Sequence, residues 1–166
     1  MAKGGIKDLS ARKLAAEADV STRAIYSVFG DMDGLVSQLV AKGYTVLGDR
    51  LRSVPVTDDP MHDLQLIATK GFRTFALDHP NLYRLTFEQV PPNALSQAEV
   101  KQTMTISYGV LMEFIMRAQE DGIGTNLARS DFVISFHAVC QGLAAVELSH
   151  QPPPIGTNFW KPLEGK

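Results

Sequence analysis

His137 and Cys140 stand three residues apart and could share one face of a helix, as an activated thiol and its base would. Neither a positioned acid nor an oxyanion donor accompanies them, so the pair reads better as core packing than as catalysis. His62-Asp63 and Asp78-His79 are sequence neighbours, whose side chains point apart on a helix. The CxxC and His-x-x-x-His spacings of metal sites are absent. No catalytic residue, metal or cofactor is expected on these grounds.

Another kind of chemistry lies near the amino end. Thr22, Arg23, Tyr26 and Ser27 offer hydroxyls for phosphate oxygens, one guanidinium for guanine edges, and a phenol long enough to reach a phosphate. Two short helices would have to present them. Ser10 sits where an N-cap belongs, and Ala11 to Ala18 follows with Leu14, Ala15 and Ala18 on one face. Asp19-Val20-Ser21 breaks that helix after two turns. Ser21 then caps a second one, whose buried side would be Ala24, Ile25, Val28 and Phe29, with Gly30 as its stop. Two helices joined by three residues fit a helix-turn-helix unit. Ala15 and Ala18 would allow close helix contact, Val20 would plug the turn, and Leu14, Ile25 and Phe29 would point inward. A plain helical hairpin within a bundle is the competing reading.

The rest of the chain is patterned for helices. Asp31 or Asp33 opens a long one through Leu35, Val36, Leu39, Val40, Val46, Leu47 and Leu51. Ser53 to Pro60 is a loop, and Pro60 suits a helix start. The stripe Leu64, Ile67, Ala68, Phe72 and Phe75 runs to His79-Pro80, and Asn81 to Gln89 reads as a short helix. Ser96 opens the longest helix, which stops near Gly122; Asp131 caps a last one, ended by Pro152-Pro153-Pro154. Strand-like alternation is missing. The expected fold is all-α: a helix-turn-helix head at 1–44, then an antiparallel helical bundle at 45–166.

Phe72, Phe75, Tyr83, Phe87, Met104, Tyr108, Met112 and Phe136, with His137 and Gln141 as polar members, have the composition of an apolar or aromatic ligand pocket. An ordinary core would use the same side chains. The last helix is more apolar than one small core demands, with Phe132, Phe136, Val139, Leu143 and small Ala144-Ala145. Dimerisation through it and burial within the same chain are equally good readings.

Composition sets the wider bounds. In 166 residues, 45% hydrophobic, there is one Cys, so no internal disulfide can form and a reducing, intracellular setting is expected. No apolar run approaches the roughly 18 residues of a membrane span, and the amino end has no apolar signal core. Residues 1–30 carry five basic and three acidic side chains, whereas residues 53–166 carry eight and twelve. A mildly basic head on an acidic body suits a polyanionic partner for the head.

Residues 9–36, LSARKLAAEADVSTRAIYSVFGDMDGLV, resemble the DNA-binding signature of TetR-family transcriptional regulators. Residues 72–87, FRTFALDHPNLYRLTF, are similar to the ligand domain of the branch with a WHG-type C-terminal domain; Gln141-Gly142 and Glu147-Leu148 occupy the places of its His-Gly and Glu-Leu pairs. The resemblance implies a cytoplasmic homodimeric repressor that binds a palindromic double-stranded operator and releases it when a small molecule occupies the body. By the same resemblance Ser10 and Tyr26 would hold phosphates, Thr22, Arg23 and Ser27 would approach bases or flanking backbone, Arg12 would lie near the duplex, and Ser21 would cap the recognition helix. Two departures stand out. The family covers its head with an amphipathic first helix, whereas here eight residues precede Leu9, so Leu14, Ile25 and Phe29 would be partly exposed unless the start is mis-assigned. Met32 also stands where the family has a phosphate-clamping Lys. A relative that keeps the ligand body but binds DNA poorly is the alternative.

Overall fold

The computed structural model describes residues 10–149 and Trp160. The terminal run of prolines lies outside them. Among the described residues eight α-helices appear in chain order: α1 Ala11–Glu17, α2 Thr22–Phe29, α3 Met32–Arg52, α4 Pro60–Leu66, α5 Thr74–Asp78, α6 Pro80–Tyr83, α7 Ala98–Glu120 and α8 Arg129–Leu148. Among the described residues there is no strand, so the fold is all-α as expected.

Several boundaries differ from the sequence pattern for local reasons. The Leu64–Phe75 stripe is not one α-helix, because Ile67–Arg73 widens into a π-helix between α4 and α5. A second π-turn, Arg84–Glu88, follows α6. Periodicity alone misses both, since one inserted residue per turn leaves the apolar stripe nearly intact. Ser96 closes a 3₁₀ turn, and extended Gln97 separates it from α7. Asp131 does not cap α8; Ala128 stands at that end, and Asp131 lies in the first turn, where its charge still suits the dipole. By contrast Asp59 caps α4 by accepting from His62 N at 2.9 Å, with Pro60 at the first helical position.

The chain divides into two compact units. One holds the described part of Met1–Tyr44 together with Asn81–Met104. There Asn93 donates to Asp33 at 2.6 Å, and Gln38 donates to Glu99. Tyr44 meets Phe87 edge-on at 5.6 Å, and Phe87 meets Tyr83 at 5.4 Å. Gly43 presses on the fully buried Thr86, so an added Cβ would land on the Thr86 side chain. Gly43→Ala should therefore lower stability by about 1–3 kcal/mol through overpacking, despite the better helix propensity of Ala. Thermal unfolding checks the sign, and a raised Tm would contradict the packing.

The other unit holds Thr45–Pro80 and the described part of Thr105–Lys166. Leu47, Leu51, Ile67, Phe72, Phe75, Leu111, Ile115 and Cys140 are each at most 2% exposed and form its core. Asp63, 1% exposed, ties the loop before α4 to α7. It accepts from Thr57 N at 3.1 and 3.0 Å, from Thr57 Oγ1 at 2.7 Å and from Arg117 Nη1 at 2.6 Å. Burial pushes this carboxyl up, but hydrogen bonds from Thr57 and Arg117 outweigh that and hold it below the usual carboxylate range.

One compositional expectation is corrected. Helix α8 has 20 residues, and an 18-residue window within it has a mean hydropathy of 1.3, so by length and composition it could cross a membrane. Searching for an uninterrupted apolar run overlooks it because Ser135, His137, Gln141 and Glu147 punctuate it. Those groups also bind it to its own unit: Glu147 pairs with Arg73 at 2.8 Å, and His137 is buried between aromatic rings.

Candidate functional site

The head is built by two serine caps. Ser10, in extended conformation, accepts from Lys13 N at 3.3 Å and opens α1. Ser21 does the same for α2, accepting from Ala24 N at 3.1 Å. A hydroxyl that accepts from a backbone N–H keeps its own O–H to donate, so either cap can also hold a phosphate oxygen. Between the helices, Asp19 takes a left-handed φ of 52°, and Val20 N returns to Ala15 O at 2.9 Å. Gly30, at φ 76°, ends α2, and Asp31 accepts from Gly34 N at 2.7 Å to start α3.

On α2 the polar face is open. Arg23, Tyr26 and Ser27 are exposed, as are Arg12 on α1 and Ser21 at the cap; Thr22 and Ser10 are half-buried. Among the described residues neither Arg12 nor Arg23 is in an ion pair. Ala15 is buried at the helix contact as expected, but Ala18 is exposed and serves as the C-cap of α1. Val20 does not plug the turn, being 44% exposed, and Val28 is 73% exposed rather than on the buried side. Leu14, Ile25 and Phe29, expected to point inward, are only half-buried, and α2 has no fully buried residue. A sequence reading that assigns faces by spacing cannot foresee this, since burial depends on what lies over the two short helices.

The body residues fall into separate groups. Phe72 and Tyr108 flank His137, with ring centroids 4.9 and 4.7 Å away, and the amide nitrogen of Gln141 lies 2.9 Å from His137 Nε2. That contact suits a neutral imidazole whose Nε2 accepts. Burial pulls the His137 pKa down to about 4. Phe75 is fully buried, whereas Met112 and Phe136 are half-buried. Tyr83, Phe87 and Met104 belong to the first unit, where the first two join Tyr44. The expectation of a drug-sized pocket is not met around His137. The cleft between Leu47, Leu51, Phe72, Tyr108, Leu111 and His137 leaves no room for a water molecule, because these large side chains fill the space they bound.

The same burial decides the reactive pair. Cys140 is fully buried, and its thiol pKa is pushed up to about 12, so its surroundings favour the protonated thiol over the thiolate nucleophile. His137 also gives a pH test. A histidine at about 4 in the fold and near 6.5 when unfolded stabilises the native state fully only above pH 6.5, and progressively less as pH falls toward 4. Between pH 7 and 5 the protein should lose about 2 kcal/mol. His137→Phe should flatten that segment of the Tm–pH curve, and an unchanged slope would assign the loss elsewhere.

Two short helices with a polar outer face, ahead of a helical body, define the class of helix-turn-helix DNA-binding regulators. Residues 1–39 match the bacterial regulatory proteins of the tetR family, and residues 67–158 match the Tetracyclin repressor-like, C-terminal domain. The chain belongs to the TetR family. No curated protein matches it at a significant level. Among solved structures, a protein of unknown function from Rhodococcus sp. RHA1 is similar at TM-score 0.75 and 23% identity, over 97% of this chain and 82% of the other. The TetR family transcriptional regulator PfmR from Thermus thermophilus is similar at TM-score 0.65 and 13% identity, over 96% and 85%. A bacterial regulatory protein in the tetR family from Rhodococcus RHA1 gives TM-score 0.67 and 14% identity, over 89% and 78%. At such identities the likeness is one of fold.

Proposed function

We propose that this DNA-binding transcriptional regulator is a repressor acting in the cytoplasm, with no role at a membrane. It binds a palindromic operator as a homodimer and releases it when a small apolar or aromatic molecule enters its body. In this reading residues 1–44 form the DNA-binding head and 45–166 the ligand-binding and dimerisation part, and no step is catalytic. The observation that carries it is the open face of α2, with Arg23, Tyr26 and Ser27 exposed beside two hydroxyl caps. Ser10, Ser21 and Tyr26 would grip phosphates and so set the register, while Thr22, Arg23 and Ser27 read base edges. A gel-shift series on DNA flanking the gene tests this. Operator affinity should fall log-linearly with salt, because each phosphate contact releases a counterion and that release is worth less at higher salt; a flat response would remove phosphate binding.

Dimerisation is assigned to α8, whose Ile134 and Val139 are 62% and 53% exposed beside exposed Ala138. Exposed apolar side chains on one helix, with the small Ala138 between them, suit a helix of a second copy. Ile134→Glu should convert dimer to monomer in sedimentation and weaken operator binding, because one head holds only half the contacts. An unchanged dimer would place the interface elsewhere.

For the effector, the stack of Phe72, His137 and Tyr108 with Gln141 supplies flat apolar walls and one polar end. Binding requires these side chains to part, so ligand would select an opened minor state. A panel of aromatic and lipid-like compounds should contain some that raise Tm and weaken operator binding; no response would remove the effector role. The second reading, a ligand-binding relative with weak DNA affinity, draws on the half-buried Leu14, Ile25 and Phe29. The gel shift separates the two.

A further inference from the structure

Trp160 is the single tryptophan of the chain, and it is 1% exposed. Its indole N–H donates to Glu147 Oε2 at 2.7 Å. Arg73 clamps the same carboxylate, with Nη2 to Oε1 at 2.8 Å and Nε to Oε2 at 3.0 Å, and its guanidinium carbon lies 6.0 Å from the indole centroid. The pair with Arg73 holds the Glu147 carboxyl below its usual range despite burial, so the acceptor is an anion. A fixed anion for one N–H and a cation near the ring make a recognition set for a flat aromatic donor.

We propose that the Arg73–Glu147 pair forms a binding site for small bicyclic aromatics bearing an N–H donor, of the indole or benzimidazole class, with Trp160 as its built-in competitor. The site is separate from the stack around His137, and the proposal does not depend on that stack taking an effector. Its logic is competitive. Trp160 is 13 residues beyond Glu147, and so short a tether gives its ring an effective concentration on the order of millimolar or above. Free ligand must exceed that to displace it. Removing the ring vacates its place beside the Arg73–Glu147 pair, where a free indole can donate to the same carboxylate and lie near the same cation. The N–H, which is charge-assisted at Glu147, supplies selectivity over ligands that match only in shape.

Indole itself is the probe. Trp160→Ala should bind indole at least roughly tenfold more tightly than the parent protein, because the tethered competitor is gone. In that variant no tryptophan interferes, and bound indole should show blue-shifted emission. 1-Methylindole, of similar shape but without the donor, should bind at least roughly tenfold more weakly. In the parent protein carrying 5-fluorotryptophan, the single fluorine resonance should move toward its solvent-exposed position as indole is added. That titration and the same comparison in Trp160→Phe keep the test open should the Ala variant not fold. Equal affinity of variant and parent for indole, equal affinity for the two probes, or an immobile fluorine signal would each overturn the site. Operator release is scored separately: displaced fluorine with undiminished DNA binding supports the site and counts only against its acting as an effector site.

Discussion

Replacing Arg23 and Tyr26 together by Ala is expected to weaken operator binding by roughly a hundredfold or more while leaving helicity and Tm nearly unchanged. The structural half of that expectation follows from exposure. Tyr26 is 46% exposed and Arg23 lies on the same open face, so truncation removes little packing, and surface substitutions of this kind usually stay within about 0.5 kcal/mol. The functional half follows from contact chemistry. A base-directed arginine is worth about 1–3 kcal/mol of discrimination, a phosphate contact adds a counterion-release term, and a dimer loses each of them twice. The salt slope should become shallower, since Arg23 no longer adds charge at the interface. Single variants should separate the roles: Arg23→Ala relaxes sequence preference, whereas Tyr26→Phe lowers affinity evenly across sequences. Unchanged affinity in the double variant would mean that α2 is not the recognition helix.

The largest stability effect is expected at Arg117. Arg117→Met should cost about 2–3 kcal/mol, which in a chain of this size moves Tm by roughly 4–12 °C. Asp63 is 1% exposed and would lose the cation that sits 2.6 Å from its Oδ2. The upper range for broken buried pairs does not apply, because the Arg117 side chain is 32% exposed and three hydrogen bonds from Thr57 remain. The pH dependence should also weaken. In the parent protein Asp63 has a lowered pKa, so its contribution is present above the unfolded value near 3.8 and lost as pH falls through the folded one. Without Arg117, its hydrogen bond and its charge no longer lower this carboxyl, while burial still pushes it up and Thr57 still lowers it. The stability gap between variant and parent should therefore narrow as pH falls below about 4. Adding Asp63→Asn to Arg117→Met should restore stability at pH 7, and a double variant as unstable as the sum of both singles would deny the coupling.

Much of the head was legible in the sequence because its signals are local. Ser10 and Ser21 are caps, Gly30 is the left-handed stop, and Thr22–Phe29 is the second helix, as a hydroxyl, a short apolar period and a glycine dictate within a few residues. Of the four residues placed on the outward face, Arg23, Tyr26 and Ser27 are exposed and Thr22 is half-buried. The inward face was less legible. Spacing places Val20 and Val28 toward the interior, but burial is decided by what packs over α1 and α2, and both residues face solvent.

The body divides along the same line. Composition and period determined that it is helical and that Leu64, Ile67, Phe72 and Phe75 are core, while the ordered motifs at residues 9–36 and 72–87 carried the resemblance to TetR-family regulators. Only the tertiary structure decided that Phe72 and Tyr108 enclose His137 with no space between them, that the stripe passes through a π-turn, and that Asp63 finds Arg117 54 residues away and Glu147 finds Arg73 74 residues away. Helix identity is set by interactions within a turn or two, which a linear pattern records. Partners, cavities and pKa values are set by side chains that meet only when distant turns pack, and no spacing along the chain encodes that distance.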